Sequence, residues 1–164
     1  MRVPLFLATK KVPFDTLFHP PAYNAHKLAK YLRVPGKRVA KCVLLVSPAG
    51  PVLAVLPATH QVDPAAVARE LGGTFRLAEE REVAAVFRDC EWGALVPFGT
   101  LYGLPTILDE AVDPDTEIVF EAHGHAVAIR MRCRDFERLE RPRRCRFARH
   151  RGRTGPAGPA VTAS

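Results

Sequence analysis

The sequence lacks the motifs of several common enzyme classes. It has no Gly-x-Ser-x-Gly motif, and neither of its two serines, Ser47 and Ser164, lies in a plausible site, which excludes covalent serine catalysis. A glycine-rich phosphate loop of the Walker type is also absent. The four cysteines include no Cys-x-x-Cys pair, which argues against a zinc ribbon or a redox motif. We expect four reduced thiols, as is usual in the cytosol.

Long apolar runs are missing as well. No segment reaches the ~18 consecutive apolar residues of a membrane-spanning helix, and the first ten residues are too short and too quickly charged for a secretory signal. We therefore predict a cytoplasmic protein that does not contact a membrane. With 164 residues, 48% of them hydrophobic, the chain suits one core. We predict a single domain over residues 1–150 and a disordered tail over 151–164.

Acidic residues are scarce at both ends of the chain. Residues 1–62 contain nine Lys or Arg against Asp15 alone, and residues 130–153 contain eleven Arg against three acids. The middle, residues 63–129, has four Arg against thirteen acids. Two basic ends around an acidic middle are typical of a protein that binds a polyanion on one of its sides only. The alternative is that these charges only solvate the surface.

Lys41 is the most unusual charged residue, because it opens an apolar run over residues 39–46. The β-branched content of this run and the turn after it predict a buried strand. An ammonium there needs a carboxylate partner, a wet cleft at the end of the strand, or a chemical role. The structural alternative is a lysine that only extends to solvent. Glu91 and Asp109 are candidate partners for Lys41.

A second unusual segment, residues 93–105, is apolar but carries three glycines and two prolines. Such a segment cannot form an ordinary helix or central strand, so we predict a shaped loop. Glycine lets a ligand approach bare backbone N–H groups, and the loop could form a site for a carbonyl or an oxyanion. Most loops of this kind are only tight turns.

Several blocks of sequence occur in the order of one known family. The blocks are His19-Pro20-Pro21-Ala22-Tyr23, Val39-Ala40-Lys41, Gly93-Ala94-Leu95-Val96-Pro97-Phe98-Gly99, Leu108-Asp109-Glu110, Ile129-Arg130-Met131 and Asp135-Phe136-Glu137-Arg138-Leu139. Over about residues 12–150 the chain resembles the YbaK-type aminoacyl-tRNA deacylases, a domain also inserted in bacterial prolyl-tRNA synthetases. The match is specific for the family and less so for the subfamily.

The resemblance implies a fold, an activity and a set of site residues. The fold would be α+β, with a mixed, partly closed β-sheet or barrel surrounded by helices. Lys41 and Gly93 would be catalytic. The substrate-binding residues would be His19, Tyr23, Ala94, Leu95, Val96, Pro97, Phe98, Gly99, Asp109 and His125. No cofactor or metal is expected, because His123 and His125 have no third ligand at a helpful spacing and Gly124 indicates a hairpin turn.

Periodicity and turn residues give a coarse map of elements that agrees with an α+β class. The map has helices at 24–32, 63–71, 79–87 and 135–139, and strands at 14–19, 39–46, 52–56, 75–77, 105–108, 117–121 and 125–131. Asn24 and Asp63 are the predicted caps of the first two helices.

The sequence leads to one main functional hypothesis and two alternatives. The main hypothesis is a free-standing deacylase that removes a wrongly attached small amino acid from tRNA. Its partner would be the acceptor end of aminoacyl-tRNA, with an aminoacyl-tRNA synthetase as a further candidate and no DNA. A non-catalytic tRNA- or synthetase-binding adaptor would keep the basic ends without needing Lys41. A protein that only binds a small molecule would need neither of the two basic ends.

Overall fold

The computed structural model describes residues 2–151 and confirms the α+β class. The predicted tail therefore lies, except for Arg151, outside the described residues, and the predicted domain boundary stays a prediction. The helices are α1 (Val3–Thr9), α2 (Ala25–Leu32), α3 (Pro64–Leu71), α4 (Glu80–Val86) and α5 (Cys133–Glu140). The strands are β1 (Asp15–Phe18), β2 (Ala40–Ser47), β3 (Gly50–Pro57), β4 (His60–Val62), β5 (Arg76–Leu77), β6 (Thr106–Asp109), β7 (Glu117–Glu121), β8 (Val127–Arg132), β9 (Arg143–Cys145) and β10 (Ala148–His150).

The largest sheet has the strand order β5-β2-β3-β6-β9. Its centre is the β2–β3 hairpin, whose register pairs Lys41 with Leu56 and Ser47 with Gly50. Gly50 has a φ of 123°, a value that side chains disfavour, so glycine permits the tight connection. Strands β3, β6 and β9 run parallel to one another. This mixed pairing brings the end of β6 beside the C-terminal part of the chain.

Two smaller sheets, β1-β8-β7 and β10-β4, complete the strand pairing within residues 2–151. None of the three sheets is shown as closed, so the expected partly closed barrel is not confirmed. No helix in the described part of the chain is long and apolar enough to span a bilayer. The predicted caps are present, since Asn24 Oδ1 accepts a hydrogen bond from Lys27 N and Asp63 Oδ1 accepts one from Ala65 N.

The two faces of β2 contact different apolar clusters. Ala40 and Leu44 belong to a core that also contains Phe98, whereas Leu45 belongs to a second core that contains Phe147. Because side chains alternate along a strand, Lys41 lies on the second face, beside Val43 and Leu45. Lys41 is thus directed toward the side of the sheet that α3 and the C-terminal strands cover.

Between residues 14 and 57 the coarse map located α2 and strands β1 to β3, but elsewhere it missed one α-helix and three short strands. Helix α1 is one: Val3 and Leu7 are fully buried, and the Phe6 ring packs edge-on against Phe98 with 5.7 Å between ring centroids. Strands β4, β9 and β10 are the others. They span only three residues each, too few to establish a period.

Candidate active site

Lys41 is the second residue of β2, and its side chain is partly buried. Within residues 2–151 its ammonium forms no hydrogen bond or ion pair. Burial, and secondarily the positive charge of Arg151, lower the pKa of Lys41 to about 8. At neutral pH the group therefore remains an ammonium, and it is available to an incoming oxygen ligand.

Histidines from two short strands lie on the same side of the sheet. The rings of His60 in β4 and His150 in β10 pack edge-on, with centroids 5.2 Å apart. His60 Nδ1 is 2.8 Å from the Thr59 hydroxyl. Burial lowers the pKa of His60; the Asp109 carboxylate opposes this effect, and the charges of His150 and Lys41 add to it. His60 is thus a neighbour of Lys41.

Asp109 was a predicted partner of Lys41, but it forms no ion pair with it. Its buried carboxylate is occupied by backbone groups: Oδ1 accepts hydrogen bonds from Phe147 N and Ala148 N at 2.9 Å, and Oδ2 accepts one from Ala111 N. The expectation of an Asp109–Lys41 pair is therefore wrong. Asp109 holds the C-terminal strand against the sheet.

Glu91, the other predicted partner of Lys41, also lies elsewhere. Its Oε2 accepts a hydrogen bond from His125 N at 3.2 Å, and its backbone N–H donates to the His123 carbonyl. These bonds join the glycine loop to the turn between β7 and β8. The predicted Glu91–Lys41 pair is therefore wrong as well, because the carboxylate binds a different element.

Gly93 lies in the exposed part of the glycine loop, beside His125. Its φ is 82°, and a Cβ at this position would lie 3.4 Å from His125 Cε1. Among the described residues, the Gly93 N–H has no hydrogen-bond acceptor. The loop thus presents a backbone donor at the surface, and its use as an oxyanion or carbonyl site stays a prediction.

The rest of the loop is buried rather than open to a ligand. Ala94, Val96, Pro97, Phe98 and Gly99 are all buried, and Leu95 is half-buried. The Phe98 ring packs edge-on against three other phenylalanines, Phe6, Phe120 and Phe136. These predicted substrate-binding residues therefore shape the loop from inside the core.

His125 links the loop to the β7–β8 sheet. Its Nε2 is 2.5 Å from the Trp92 carbonyl oxygen, and its Nδ1 is 3.0 Å from both the Ala22 carbonyl oxygen and Glu121 Oε2. Both ring nitrogens face oxygen acceptors. Burial raises the pKa of Glu121 to about 7, an effect that its interaction with His125 opposes.

Tyr23, a predicted substrate-binding residue, packs on this histidine, and His19, another predicted substrate-binding residue, lies four residues earlier in the chain. The Tyr23 ring is exposed, and its centroid lies 5.0 Å from that of His125. His19 Nδ1 lies 2.8 Å from the Pro20 carbonyl oxygen, and its buried Nε2 has no hydrogen-bond partner within residues 2–151. Tyr23, His125 and Gly93 thus form one group.

Lys41 and the Gly93–His125 group are not joined by a hydrogen bond or an ion pair. Cys42, the next residue of β2, packs against the core that contains the loop. Alternation therefore directs Lys41 away from the loop. The structure presents two candidate regions, one on each face of β2.

A further polar cluster, formed by Asp89, Cys90, Tyr102 and His123, was missed by the sequence interpretation. Ligand atoms of Asp89, Cys90 and His123 lie within 4.8 Å of one another, which is close enough to hold a metal. The spacing in the sequence hid this group, because residues about 33 positions apart converge only through the fold. Tyr102 donates a hydrogen bond of 2.6 Å to Asp89 Oδ1.

The proton positions in this cluster favour a hydrogen-bond network over a metal site. Val3 N donates to His123 Nε2 at 3.0 Å, so in the neutral ring Nδ1 carries the proton and faces Cys90 and Asp89. A metal at Nδ1 would require loss of the Val3 bond or an imidazolate. Burial also raises the pKa of Cys90 to about 11, which leaves the thiol protonated and unreactive.

A profile of the aminoacyl-tRNA editing domain family matches residues 19–139. The chain belongs to this family. No curated protein matches the sequence significantly. Among solved structures, the editing domain resembles a hypothetical protein with 14% identity and a TM-score of 0.83, covering 91% of this chain and 100% of the other. It also resembles a proposed trans-editing enzyme for prolyl-tRNA synthetase, with 19% identity and a TM-score of 0.75, covering 83% and 87%.

The editing-domain match contains both candidate regions but not all their neighbours. Helix α1 and strands β9 and β10 lie outside residues 19–139. The first of these packs on Phe98 of the glycine loop, and the last two lie on the Lys41 face of the sheet. Elements outside the profile match therefore border both candidate regions.

Proposed function

We propose that the protein is a free-standing aminoacyl-tRNA deacylase that hydrolyses the ester of a mischarged tRNA carrying a small amino acid. The observation that supports this proposal most strongly is the partly buried Lys41 ammonium, which has no counter-ion within residues 2–151. A structural lysine at such a position normally gains a carboxylate partner, because unpaired charge is costly to bury. Family membership supplies the substrate class, aminoacyl-tRNA.

The proposed chemistry needs neither a covalent intermediate nor a nucleophilic side chain. Water attacks the ester carbonyl, the carbonyl oxygen becomes an oxyanion, and collapse breaks the bond to the ribose oxygen. That oxygen gains a proton, and the amino acid leaves as a carboxylate. An ammonium at the position of Lys41 would stabilise the oxyanion or hold the terminal nucleotide, so that the ester is oriented toward water.

The glycine loop, on the opposite face of β2 from Lys41, would be the second candidate for the amino-acid pocket. Gly93 offers a backbone N–H, and the absence of a side chain leaves room beside His125. A site of this kind suits small amino acids, whose discrimination during charging amounts to only ~1 to 3 kcal/mol per methylene. A second hydrolytic step then improves fidelity.

A deacylation panel tests the proposal. Purified protein is incubated under single-turnover conditions with tRNAs that carry Ser, Ala, Cys, Thr or Pro, with and without a strong chelator. We expect faster ester hydrolysis than in buffer for at least one small amino acid, unchanged by the chelator. Activity that is lost with the chelator and restored by zinc would contradict the assignment to Lys41 and point to Asp89, Cys90 and His123.

The adaptor hypothesis gives a different result in the same panel. An adaptor would bind tRNA and leave every ester at its spontaneous rate of hydrolysis. Binding without hydrolysis across all five substrates would therefore replace the enzyme proposal with the adaptor.

A further inference from the structure

Arg151, directly after β10, is brought close to Lys41 by backbone pairing. Strand β10 pairs with β4 so that His150 faces His60, and Arg151 N then donates to the Thr59 carbonyl at 2.9 Å. Thr59 belongs to the turn that follows β3. The C-terminal strand therefore ends at the turn between β3 and β4.

That turn lies beside the start of β2. Ala58 N donates to the Val39 carbonyl at 2.8 Å, and Lys41 pairs with Leu56 in the β2–β3 register. Lys41 is directed to the face that β10 covers. Pairing and register thus place Lys41 and Arg151 at the same corner of the protein.

No carboxylate compensates for these two positive charges. Neither Lys41 nor Arg151 forms an ion pair with any residue that the structure describes. The nearby acids have other partners: Asp63 pairs with Arg149, and Asp109 accepts three backbone N–H bonds. Two adjacent cations without an acid form a site for an anion.

The electrostatics of Lys41 agree with this arrangement. The pKa of Lys41 is lowered first by burial and then by the charge of Arg151. His60 from β4 is also close to Lys41, and Asp109 from β6 and His150 from β10 act in turn on His60. A bound anion would relieve the repulsion between the two cations.

We propose that Lys41 and Arg151 together bind a phosphodiester of the single-stranded 3′ end of an RNA. The inference rests on the proposed function, since a deacylase must hold the terminal nucleotide whose ribose carries the ester. An arginine can bind two phosphate oxygens side by side, and the lysine supplies a compact charge. Strand β10 and Arg151 lie beyond the residues that the family profile matches.

The binding test uses the trinucleotide CCA as a probe and adenosine, which has no phosphate, as its control. NMR titration of 15N-labelled wild-type protein should show shifts at the Lys41 and Arg151 amides with CCA and none with adenosine. Arg151→Ala should weaken CCA binding about tenfold, the loss typical of one charge-assisted contact. Arg141→Ala is the matched control, because Arg141 is exposed and lies at the end of α5.

Three results would overturn the inference. They are no CCA binding by the wild type, equal effects of CCA and adenosine, and equal CCA affinity in Arg151→Ala and wild type. Thermal melting checks that the variants fold, which we expect because the Arg151 side chain is exposed.

A kinetic arm separates this inference from the proposed function. In single-turnover deacylation, Arg151→Ala should raise the concentration of half-maximal rate about tenfold and leave the maximal rate within about twofold. If Arg151→Ala hydrolyses the ester with the same half-maximal concentration as the wild type, Arg151 has no role in binding, while the deacylase proposal stands. If the protein binds CCA through its phosphates but hydrolyses no ester, the anion site stands and the deacylase proposal is wrong.

Discussion

At the scale of single residues, Lys41 combines a thermodynamic cost with a proposed chemical use. Its pKa in the folded protein, about 8, lies below the ordinary value of 10.5. Between these values the unfolded chain binds more protons than the folded protein, so stability rises as pH rises from about 8 to 10.5. Below pH 8 the full destabilisation is present.

Replacing Lys41 by methionine should therefore stabilise the protein at pH 7. Methionine keeps an unbranched apolar stem and removes the charge. We expect a gain of about 1 to 2 kcal/mol, smaller than the full pKa shift implies because water screens the partly exposed ammonium. The gain should disappear as pH approaches 10.5, and thermal or denaturant unfolding at several pH values measures it.

Lys37→Met is the control for this measurement, because it removes the same charge from an exposed position. It should change stability by less than about 0.5 kcal/mol at any pH. A Lys41→Met protein that is less stable than the wild type at pH 7 would show that the ammonium has a stabilising partner.

Gly93 allows the loop to be tested with a matched pair of glycines. Gly93 and Gly103 have similar positive φ values, 82° and 73°, but only a Cβ at Gly93 would approach another side chain, that of His125. Either change to alanine should cost about 1 kcal/mol of stability, from the left-handed backbone alone. Only Gly93→Ala should also slow single-turnover deacylation. Equal rates in the two variants would remove the loop from the proposed mechanism.

Individual site residues were predictable only where sequence position alone restricts the chemistry. A lysine at the head of an apolar strand and a glycine in a constrained loop stand out without a structure. The partners of Asp109 and Glu91 could not be predicted, because the sequence does not show which distant N–H group a carboxylate will bind. The cluster around His123 depends on the same long-range convergence.

At the scale of elements, the C-terminal strands are part of the core rather than a solvated basic tail. Phe147 is 1% exposed and Cys145 is 4% exposed, and β9 pairs with β6. Several arginines here are also committed: Arg144 binds Glu137, and Arg143 donates to the Glu70 carbonyl. The charge pattern alone predicted a polyanion-binding or solvated surface here, and it did not show that part of this segment belongs to the core.

Truncation after Glu140 should consequently destabilise the protein strongly. It would remove the Phe147 side chain from the second core, and loss of one buried Phe costs about 3 to 5 kcal/mol. It would also leave the buried Asp109 carboxylate without two of its donors. Truncation after Arg151 keeps all these contacts and serves as the control. Circular dichroism melting should separate the two, and equal melting temperatures would contradict the assignment of β9 and β10 to the core.

Elements with a full hydrophobic period and clear end signals were predictable. Helix α2 has an apolar stripe and an Asn24 cap, and α3 has Asp63 followed by a proline at its first position. Strands β4, β9 and β10 were not, because three residues carry no period and two of the three residues of β9 are arginines. Their stability comes from pairing and from Asp109, neither of which is local.

At the scale of the whole molecule, the fold brings the two basic ends of the sequence together. Lys41 comes from the basic first part, and Arg151 comes from the basic last part. The acidic middle includes Asp63 and Asp109, which bind and position the last part. The charge pattern of the sequence indicated a polyanion, and the fold shows one place where the two basic parts meet.

The role of Lys41 in ester hydrolysis is tested most directly by single-turnover deacylation with wild type, Lys41→Arg and Lys41→Ala. Arginine keeps the charge but replaces a compact donor by a wide planar group, so both variants should lose most activity. Loss of a positioned electrostatic donor typically slows a reaction ~100- to 1000-fold, and we expect that range here. The variants should melt at or above the wild-type temperature. Full activity in a folded Lys41→Ala protein would contradict the deacylase mechanism and favour a non-catalytic adaptor.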